Sequence, residues 1–379
     1  MEQQRLKEQE RLKVAIIGAG LNGLALALSL RKFGIQARIY EKAEQPRADG
    51  TGIIMWPEGM QVLAALVGVD KVKAACSQVD TISTLTATGF PINTLNMSDS
   101  PSKANAPIGL FHRSRLYQLL LNKLGDDCIA TNQHCTVNQD SEQPQILING
   151  EPLDADIIVG ADGVFSQVRK FVAPGVSLRQ PNVYCCRGEI DFKAPEISDD
   201  ECYVFAGDKS RIVTYTYDRE TQGKYWFAAC AVEEGETLSK QTVLEQFSHY
   251  PSYLLDMIRD TPESKILPSP LTDVAPFDTW YRDNAVLLGD SCCAVLPTMG
   301  IGFSLGIENA YVLAQSIASN FEGTEQAFKR YQQRAQQRSH ELQDITHRLS
   351  ELTYKDEFNP VEVAELYQQF AITNSRSPF

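Results

Sequence analysis

The chain of 379 residues lacks the short motifs that indicate a metal site or a disulfide framework. Its nine cysteines include no Cys-x-x-Cys pair, and its five histidines form neither His-x-His nor His-Glu-x-x-His, so we expect no bound metal. Cys185-Cys186 and Cys292-Cys293 are adjacent in sequence, which is a poor geometry for a structural disulfide. We therefore expect free thiols in a reducing cytoplasm.

Long apolar runs and an excess of positive charge are also missing. No segment approaches the ~18 apolar residues of a membrane span, and Met1–Lys13 is charged, unlike the start of a secretion signal. We expect a cytoplasmic protein without a membrane span. The net charge of −13 argues against a nucleic acid partner, because that binding depends on neutralising phosphates. An anionic small molecule would need local arginine or lysine.

The most informative segment is Val14–Glu41. Val14–Ile17 predicts a buried strand, which leads into a Gly-x-Gly-x-x-Gly turn, a helix and a second strand. In this pattern Gly18 makes the tight turn, Gly20 lets a pyrophosphate approach the backbone, and Gly23 lets helix and strand pack closely. Glu41 has the spacing of the acid that binds both ribose hydroxyls of a dinucleotide, which favours FAD or NAD over NADP.

Later segments predict further elements. Asp156–Arg169 repeats the order of strand, glycine turn and helix, and Val286–Leu288 is a buried strand before Gly289-Asp290. Arg211–Tyr217 and Tyr225–Val232 predict an antiparallel hairpin. Helices are predicted from Ser114, as N-cap, to Leu124, over Thr242–Ile258, and from Pro297–Gly302 to about Asn320. The last long helix carries an apolar stripe that we expect to dock on its own domain, interrupted by Arg338, and the stripe comprises Phe328, Tyr331, Ala335, Leu342, Ile345, Leu349 and Leu352.

Three stretches, the Gly-x-Gly-x-x-Gly turn, GADG at 160–163 and GDSCCAVLPTMGIG at 289–302, resemble in order and separation the single-component (class A) FAD-dependent monooxygenases, the p-hydroxybenzoate/salicylate hydroxylase-like family. Weaker matches extend this resemblance from about Leu12 to Arg338. It implies an α/β fold with a Rossmann-like FAD-binding domain (GR2-type), a mainly antiparallel β-sheet substrate domain and C-terminal helices. The implied boundaries are 12–78, 104–175 and 270–325 for FAD, 79–103 and 176–269 for substrate, and 326–379 for the C-terminal helical segment.

The resemblance also implies a reaction. NADH or NADPH reduces bound FAD, O₂ adds to form a flavin C4a-hydroperoxide, and one oxygen atom passes to a small organic substrate, expected to be aromatic or heteroaromatic. An FAD-dependent reductase or saturase on the same fold is the alternative, followed by a flavin-binding protein without turnover. The Trp-x-Trp signature of flavin halogenases is absent, since Trp56, Trp226 and Trp280 are isolated. A homodimer is left open.

The resemblance assigns the cofactor contacts residue by residue. Gly18, Gly20, Gly23 and Glu41 would hold the ADP half, and Arg113 would lie along the pyrophosphate–ribityl region. Asp162 would help hold FAD and the transient NADH or NADPH, and Asp290 would bind a ribityl hydroxyl. The N–H groups that open the helix after Pro297 can face the flavin N1/C2=O edge, where the helix dipole favours negative charge. The remaining predicted contacts are Leu21, Asn22, Lys42, Gly52, Gly289, Pro297, Gly300, Ile301 and Gly302.

Catalytic and substrate residues are predicted on the antiparallel sheet and on the loop that faces the flavin. Arg187 and Arg211 are included because a strand arginine facing a pocket can bind a carboxylate or enolate, and a surface salt bridge is the alternative. Pro297, Gly300 and Gly302 complete the catalytic set. Cys293 replaces a histidine common in the family, and we favour a small buried residue over a reactive thiol. The predicted substrate contacts, for whose aromatic members core packing is the alternative, are Met55, Tyr203, Phe205, Tyr215, Trp226 and Met299.

Overall fold

The computed structural model describes residues 12–45, 52–99, 106–139, 144–207, 209–319, 323–355 and 359–379. Its strands are β1 Val14–Ile17, β2 Ala37–Tyr40, β3 Gly52–Met55, β4 Cys76–Val79, β5 Thr81–Thr86, β6 Pro91–Asn96, β7 Ile108–His112, β8 Ile129–Ala130, β9 Cys135–Asn138, β10 Gln145–Ile148, β11 Glu151–Pro152, β12 Ile157–Gly160, β13 Leu178–Arg179, β14 Val183–Asp191, β15 Glu201–Gly207, β16 Ser210–Asp218, β17 Gly223–Ala231, β18 Leu267–Pro270, β19 Asp273–Val274, β20 Tyr281–Arg282 and β21 Ala285–Leu287. Its α-helices are α1 Leu21–Lys32, α2 Pro57–Val67, α3 Val69–Ala75, α4 Arg113–Leu124, α5 Gln167–Val172, α6 Lys240–Gln246, α7 Ser252–Asp260, α8 Asp290–Cys293, α9 Gly302–Ala318, α10 Thr324–Tyr354 and α11 Pro360–Ser375.

A six-stranded sheet has the order β20-β21-β12-β1-β2-β8 and is parallel except at β20. All four residues of β1 are buried, as expected for a central parallel strand covered on both faces. The chain leaves β1, β12 and β21 at the same edge, because parallel strands share their carboxyl ends. The predicted turns at Gly18, Ala161 and Gly289 therefore lie side by side.

A seven-stranded sheet has the order β18-β14-β17-β16-β15-β5-β6, and only the pair β5–β15 is parallel. The predicted hairpin is confirmed as β16 and β17. One face of the sheet packs on α6 and α7, and the other packs toward β7 and the loop before Pro297. The mainly antiparallel second sheet is as predicted, whereas the exact domain boundaries stay a prediction.

Two predicted helix boundaries are wrong. Thr242–Ile258 is not one helix: α6 ends at Gln246 and α7 begins at Ser252, directly after Pro251, whose ring disfavours a continuous helix. The N-cap of α4 is His112 rather than Ser114, since the His112 Nδ1 accepts a hydrogen bond from the Ser114 backbone N–H at 3.2 Å.

The segment Pro297–Met299 is also separate from the helix that follows it. It forms a short 3₁₀ turn that ends at Gly300, and α9 begins only at Gly302. The sequence also predicts a loop over Pro46–Gly52; this segment lies outside the described residues, apart from Gly52, which begins β3.

The C-terminal helices pack on the rest of this chain. All seven apolar residues of the α10 stripe are buried, as predicted. Arg338 does not interrupt this buried face: it is 6% exposed and its Nη1 lies 3.0 Å from Glu308 Oε2 on α9. Helix α11 packs along α10. Among the helices within the described ranges, none is long and apolar enough to cross a membrane.

Candidate functional site

A cavity opens at the carboxyl edge of the six-stranded sheet and extends between the N-termini of α1 and α9; we call it the cofactor cavity. Its lining combines residues from all three motif stretches with residues of the seven-stranded sheet. The predicted site residues that line it are Gly20, Leu21, Asn22, Gly52, Arg113, Arg187, Tyr215, Asp290, Pro297, Gly300 and Gly302. The fold thus brings together residues that are up to 282 positions apart in the chain, from Gly20 to Gly302.

The glycine turn at one end has the shape of a phosphate cradle. Gly18 has a φ of +105°, and a Cβ there would lie 2.6 Å from the carbonyl oxygen of Ala161. At Gly20, in contrast, no described atom outside the adjacent residues Ala19 and Leu21 lies within 4 Å of the corresponding Cβ position. Helix α1 begins directly after Gly20, so its first N–H groups receive no side-chain cap from this residue. Open space beside such a helix N-terminus fits a pyrophosphate.

The predicted ribose-binding acid lies next to this turn. One oxygen of Glu41 accepts the N–H of Ala19 at 2.8 Å, and the other accepts the N–H of Ala43 at 2.9 Å. These two bonds orient the carboxylate and leave each oxygen a further lone pair. Gly23 is tightly packed, since its Cβ would lie 2.1 Å from the Gly18 carbonyl oxygen, whereas the side chain of Lys42 is exposed.

Arg113 and Asp290 also line the cofactor cavity. Desolvation by the surrounding protein raises the pKa of the Asp290 carboxyl, and the positive charge of Arg113 opposes this shift. Gly289, which precedes it, has a φ of +64°, and a Cβ there would lie 2.1 Å from the side-chain nitrogen of Asn22. The close approach of the two turns therefore requires glycine at this position.

Asp162 does not line the cofactor cavity; its neighbours Ala161 and Gly163 do. Its carboxylate instead accepts hydrogen bonds from the Ser166 hydroxyl at 2.5 Å and from the Gln167 N–H at 2.7 Å, at the start of α5. Burial raises the pKa of Asp162, and these hydrogen bonds oppose the shift. The structure thus places the Asp162 side chain on a helix N-terminus rather than toward the cavity.

The turn at Pro297–Gly300 forms the other end of the cofactor cavity and is held on both sides. The Trp56 Nε1–H donates to the Met299 carbonyl at 2.8 Å, and the Thr298 hydroxyl donates to the Thr346 carbonyl at 3.2 Å. Gly300 has a φ of +62°, in the left-handed region. The side chain of Ile301 is fully buried and lines no cavity that we describe.

A second cavity, which we call the substrate cavity, shares Ile54, Val213, Pro297 and Gly300 with the first. The cavity-lining face of the seven-stranded sheet forms one wall, and α11 forms another. Most of its lining is apolar. Its further lining residues are Trp56, Ile82, Thr84, Asn93, Leu95, Met97, Cys202, Val204, Arg211, Thr298, Met299, Tyr367, Phe370, Ala371 and Asn374.

Arg211 is the charged side chain in this lining and is only 6% exposed. Within the described part of the chain, its buried Nε has no hydrogen-bond partner, and no acidic side chain pairs with its guanidinium. Its positive charge acts on the neighbouring Cys202: burial raises the pKa of this thiol to about 12, and the charge of Arg211 opposes the rise. A buried cation is costly without a partner, so this position favours an anion in the cavity.

Arg187 has a different environment. It lines the cofactor cavity, and its Nη2 donates to the Ser269 hydroxyl at 2.5 Å. Among the described residues, no acidic side chain forms with either arginine the surface salt bridge that was the alternative for it.

The predicted substrate contacts on the sheet divide between its two faces. Val204 pairs with Val213, and alternate residues point to opposite faces, so Tyr203, Phe205 and Trp226 point away from the substrate cavity. Phe205 and Trp226 are buried in the cluster under α6 and α7. The prediction is corrected for these three residues, which take the alternative role of core packing.

The other predicted substrate contacts are placed differently. Met55 is fully buried beside the lining residue Ile54 and does not line the substrate cavity itself. Met299 lines the substrate cavity, and Tyr215 lines the cofactor cavity. Sequence reasoning missed Ile54, Trp56 and the whole α11 wall. Helix α11 lies beyond the region of resemblance, and no motif marks it.

Cys293 is 3% exposed and sits in a buried turn with Cys292, whose pKa burial raises well above the ordinary value. The Asn309 side-chain amide lies 3.8 Å from the Cys293 sulfur. This environment favours the small buried residue over the reactive thiol.

Comparison with known proteins finds relatives that match most of the chain. Aurachin C monooxygenase/isomerase of Stigmatella aurantiaca is 29% identical over 347 residues, covering 90% of this chain and 89% of the relative. The chloroplastic zeaxanthin epoxidase of an Oncidium hybrid cultivar is 29% identical over 332 residues, which cover 82% of this chain and 49% of the relative, so the chain spans about half of that longer protein.

Among solved structures, Klebsiella pneumoniae HpxO complexed with FAD and uric acid superimposes with a TM-score of 0.84 at 19% identity, covering 97% of this chain and 96% of that one. This likeness shows the fold, and the predicted α/β class with C-terminal helices is confirmed. Residues 11–346 match the family described as FAD binding domain. Because that match covers most of the chain, the protein belongs to this family, that of the single-component FAD-dependent monooxygenases.

Proposed function

We propose that the protein uses FAD, NADH or NADPH, and O₂ to hydroxylate a small aromatic or heteroaromatic substrate that carries an anionic group. The ADP half of FAD would lie on the glycine turn, with Glu41 binding the ribose hydroxyls. The flavin would lie against the turn Pro297–Gly300 and the N-terminus of α9. The substrate ring would occupy the substrate cavity with its anionic group on Arg211.

The observation that carries the proposal is the position of Arg211, to which the described part of the chain supplies no acidic partner, in the wall of an apolar cavity that adjoins the cofactor cavity. Apolar walls bury a ring and exclude water, whereas Arg211 can bind a carboxylate or enolate through two parallel hydrogen bonds. The relatives named above act, by their names, on chemically different molecules. The substrate class is therefore argued from this cavity and not from them.

When bound, FAD supplies the redox chemistry, taking electrons from the nicotinamide cofactor and activating O₂. The chain supplies position and electrostatics. The backbone N–H groups at the start of α9, at Gly302, would favour negative charge on the edge of the bound flavin ring. Pro297 and Gly300 line both cavities and so lie between them. Tyr215 packs against Tyr225 at a ring distance of 4.8 Å and closes the sheet side of the cofactor cavity.

The cellular setting is part of the same proposal. The nine cysteines form no disulfide in the structure, which suits the reducing cytoplasm that we propose as the location. Whether the protein forms a homodimer is left open. The apolar stripe of α10 does not supply a dimer interface, because it is already buried within one chain.

The test is the absorbance spectrum of the purified protein, followed by NADH and NADPH oxidation in air with a panel of aromatic and heteroaromatic acids. We expect a flavin spectrum and substrate-stimulated oxidation with a product heavier by one oxygen atom. A product heavier only by hydrogen would favour the reductase or saturase. A colourless protein that FAD cannot reconstitute would contradict the cofactor assignment.

The variant Arg211→Met tests the role of the cation. We expect about a 10-fold to 100-fold rise in KM for anionic substrates, because a charged hydrogen bond contributes about 1.5–3 kcal/mol. The FAD content should not change. The matched control is Arg219→Met, since Arg219 is exposed at the tip of the same hairpin. An equal KM in both variants would contradict the role of Arg211.

A further inference from the structure

Helix α11 forms a wall of the substrate cavity, although it lies outside the segment that carries the family motifs. Tyr367, Phe370 and Ala371 line the cavity from this side, facing a lining that includes Val204 and Val213 on the sheet. Phe370 is only 1% exposed. Its ring packs edge-to-face on Trp56, with 4.8 Å between ring centroids. The width available to a substrate ring therefore depends on where α11 lies.

A buried polar cluster behind this wall fixes the end of α11. The guanidinium of Arg338 on α10 donates to the carbonyl of Thr373 at 3.1 Å and to the carbonyl of Asn374 at 2.9 Å. It also donates to the Asn374 side-chain oxygen at 2.9 Å. These carbonyls belong to the last turn of α11, where a positive charge stabilises the helix end.

The same cluster joins α11 to two further helices. The Asn374 side-chain amide donates to Glu58 Oε2 on α2 at 2.7 Å, and Arg338 pairs with Glu308 on α9. All four residues are at least 94% buried. Burial raises the pKa of Glu308, and Arg338 opposes the rise. Removing one partner from such a cluster leaves a buried charge without its partner, so the position of α11 is tightly specified.

We infer that α11 sets the size of the ring that the substrate cavity accepts, with Phe370 and Tyr367 as specificity-determining residues and Arg338 as a positioning residue. This inference rests on the proposed function, because it assumes that the cavity takes an aromatic anion. Arg338 does not line the cavity and acts through Asn374 and the end of α11. The side-chain amide of Asn374 is hydrogen-bonded to Glu58 and Arg338, so the α11 wall presents mainly apolar surface to the substrate ring.

The experiment titrates the FAD-loaded protein with benzoate and with 1-naphthoate and follows the perturbation of the flavin spectrum. The quantity compared is the ratio of the two dissociation constants. We expect Phe370→Ala to shift this ratio toward naphthoate by about tenfold or more, in line with the ~10–200-fold discrimination that one methylene gives in an apolar pocket. If the wild-type protein binds only benzoate, a gain of naphthoate binding by Phe370→Ala counts as the expected shift of the ratio toward naphthoate.

Arg338→Met should shift the ratio in the same direction without altering any lining side chain, and Arg338→Lys should restore most of the wild-type ratio. The control on the same helix is Ile372→Ala, because Ile372 is 56% exposed and faces solvent. This control should keep the wild-type ratio. A general loss of stability would weaken both ligands together and leave the ratio unchanged.

An unchanged ratio in Phe370→Ala would overturn the inference while leaving the proposed function intact. If neither acid perturbs the flavin in the wild-type protein or in Phe370→Ala, the cavity does not take aromatic carboxylates. That result overturns the substrate class and this inference together. The flavin absorbance of the same samples still reports the cofactor assignment independently.

Discussion

Gly18 and Gly20 lie in the same turn, yet an added methyl group would meet a neighbour only at Gly18. At Gly18 it would press on the Ala161 carbonyl within a positive-φ backbone, whereas at Gly20 the φ is −73° and the space is open. Gly18→Ala should therefore destabilise the protein without FAD by about 2 kcal/mol or more. Gly20→Ala should leave that stability within about 0.5 kcal/mol, as for an unconstrained surface site.

The effect of Gly20→Ala should appear in the affinity for FAD. Its methyl group would occupy the space that we assign to the pyrophosphate, so we expect a dissociation constant at least ~10-fold higher, equivalent to about 1.4 kcal/mol. Thermal denaturation of the FAD-free protein and fluorescence titration with FAD measure the two effects separately. Normal FAD affinity in Gly20→Ala would show that the pyrophosphate lies elsewhere.

Single residues differ in how far the sequence alone could place them. The glycines and Glu41 could be placed because their motif has a fixed spacing along one stretch of chain. Arg211 could be predicted as a strand arginine, but whether it faced a pocket depended on the pairing of β15 with β16. The same pairing decided that Tyr203 and Phe205 point to the other face, and no local pattern contains that information.

At the scale of elements, most strands and helices followed from local pattern, and the errors have local causes. The hairpin β16–β17 was predicted from alternation and turn residues, with Gln222 taking the positive φ of the turn. The break at Pro251 was missed because the apolar spacing continues on both sides of it. The sequence analysis predicted a C-terminal helical segment over 326–379 but did not distinguish α11 as a separate helix. Its role as a cavity wall arises only from tertiary packing.

Lys224 of the hairpin also forms an ion pair with Asp199, which lies just before β15 and is 32% exposed, and the effect of this pair on stability depends on pH. Lys224 is fully buried, and its Nζ lies 3.0 Å from Asp199 Oδ1, which also accepts the Thr216 hydroxyl at 2.7 Å. Burial alone would raise the pKa of Asp199. The hydrogen bonds from Thr216, Gln222 and Lys224 outweigh burial and lower the pKa from 3.8 to about 2. The carboxylate thus stabilises the fold at neutral pH, and this contribution is lost as the pH falls from about 4 toward 2.

Asp199→Asn should cost about 2 kcal/mol at pH 7, the scale of a hydrogen bond to a charged group, since it deprives Lys224 of its counterion. The difference from the wild-type protein should shrink as the pH falls toward 2. Urea denaturation at a series of pH values measures this, with Asp200→Asn at the more exposed neighbouring carboxylate as the control. A difference that stays constant with pH would contradict the assigned pKa.

At the scale of the whole molecule, the proposed substrate and the net charge have the same sign. The chain carries −13, whereas Arg211 is a single buried cation inside the cavity. At long range an anionic substrate meets net repulsion, and only close to Arg211 does it meet attraction. Salt screens the long-range field within a Debye length of about 10 Å at 0.1 M, but it screens a buried contact much less. The association rate and the dissociation rate should therefore respond to salt in different ways.

We expect the association rate of benzoate with the FAD-loaded protein to rise as salt is increased from about 0.01 M to 0.15 M, because screening removes the repulsion. The dissociation rate should change little, since the contact with Arg211 is buried. Stopped-flow measurement of the flavin perturbation gives both rates, and neutral benzamide at the same salt concentrations is the matched ligand that should show no trend. An association rate that falls with salt would instead mean that the field at the cavity mouth is positive. The local arginines would then outweigh the charge of the molecule and steer the substrate inward.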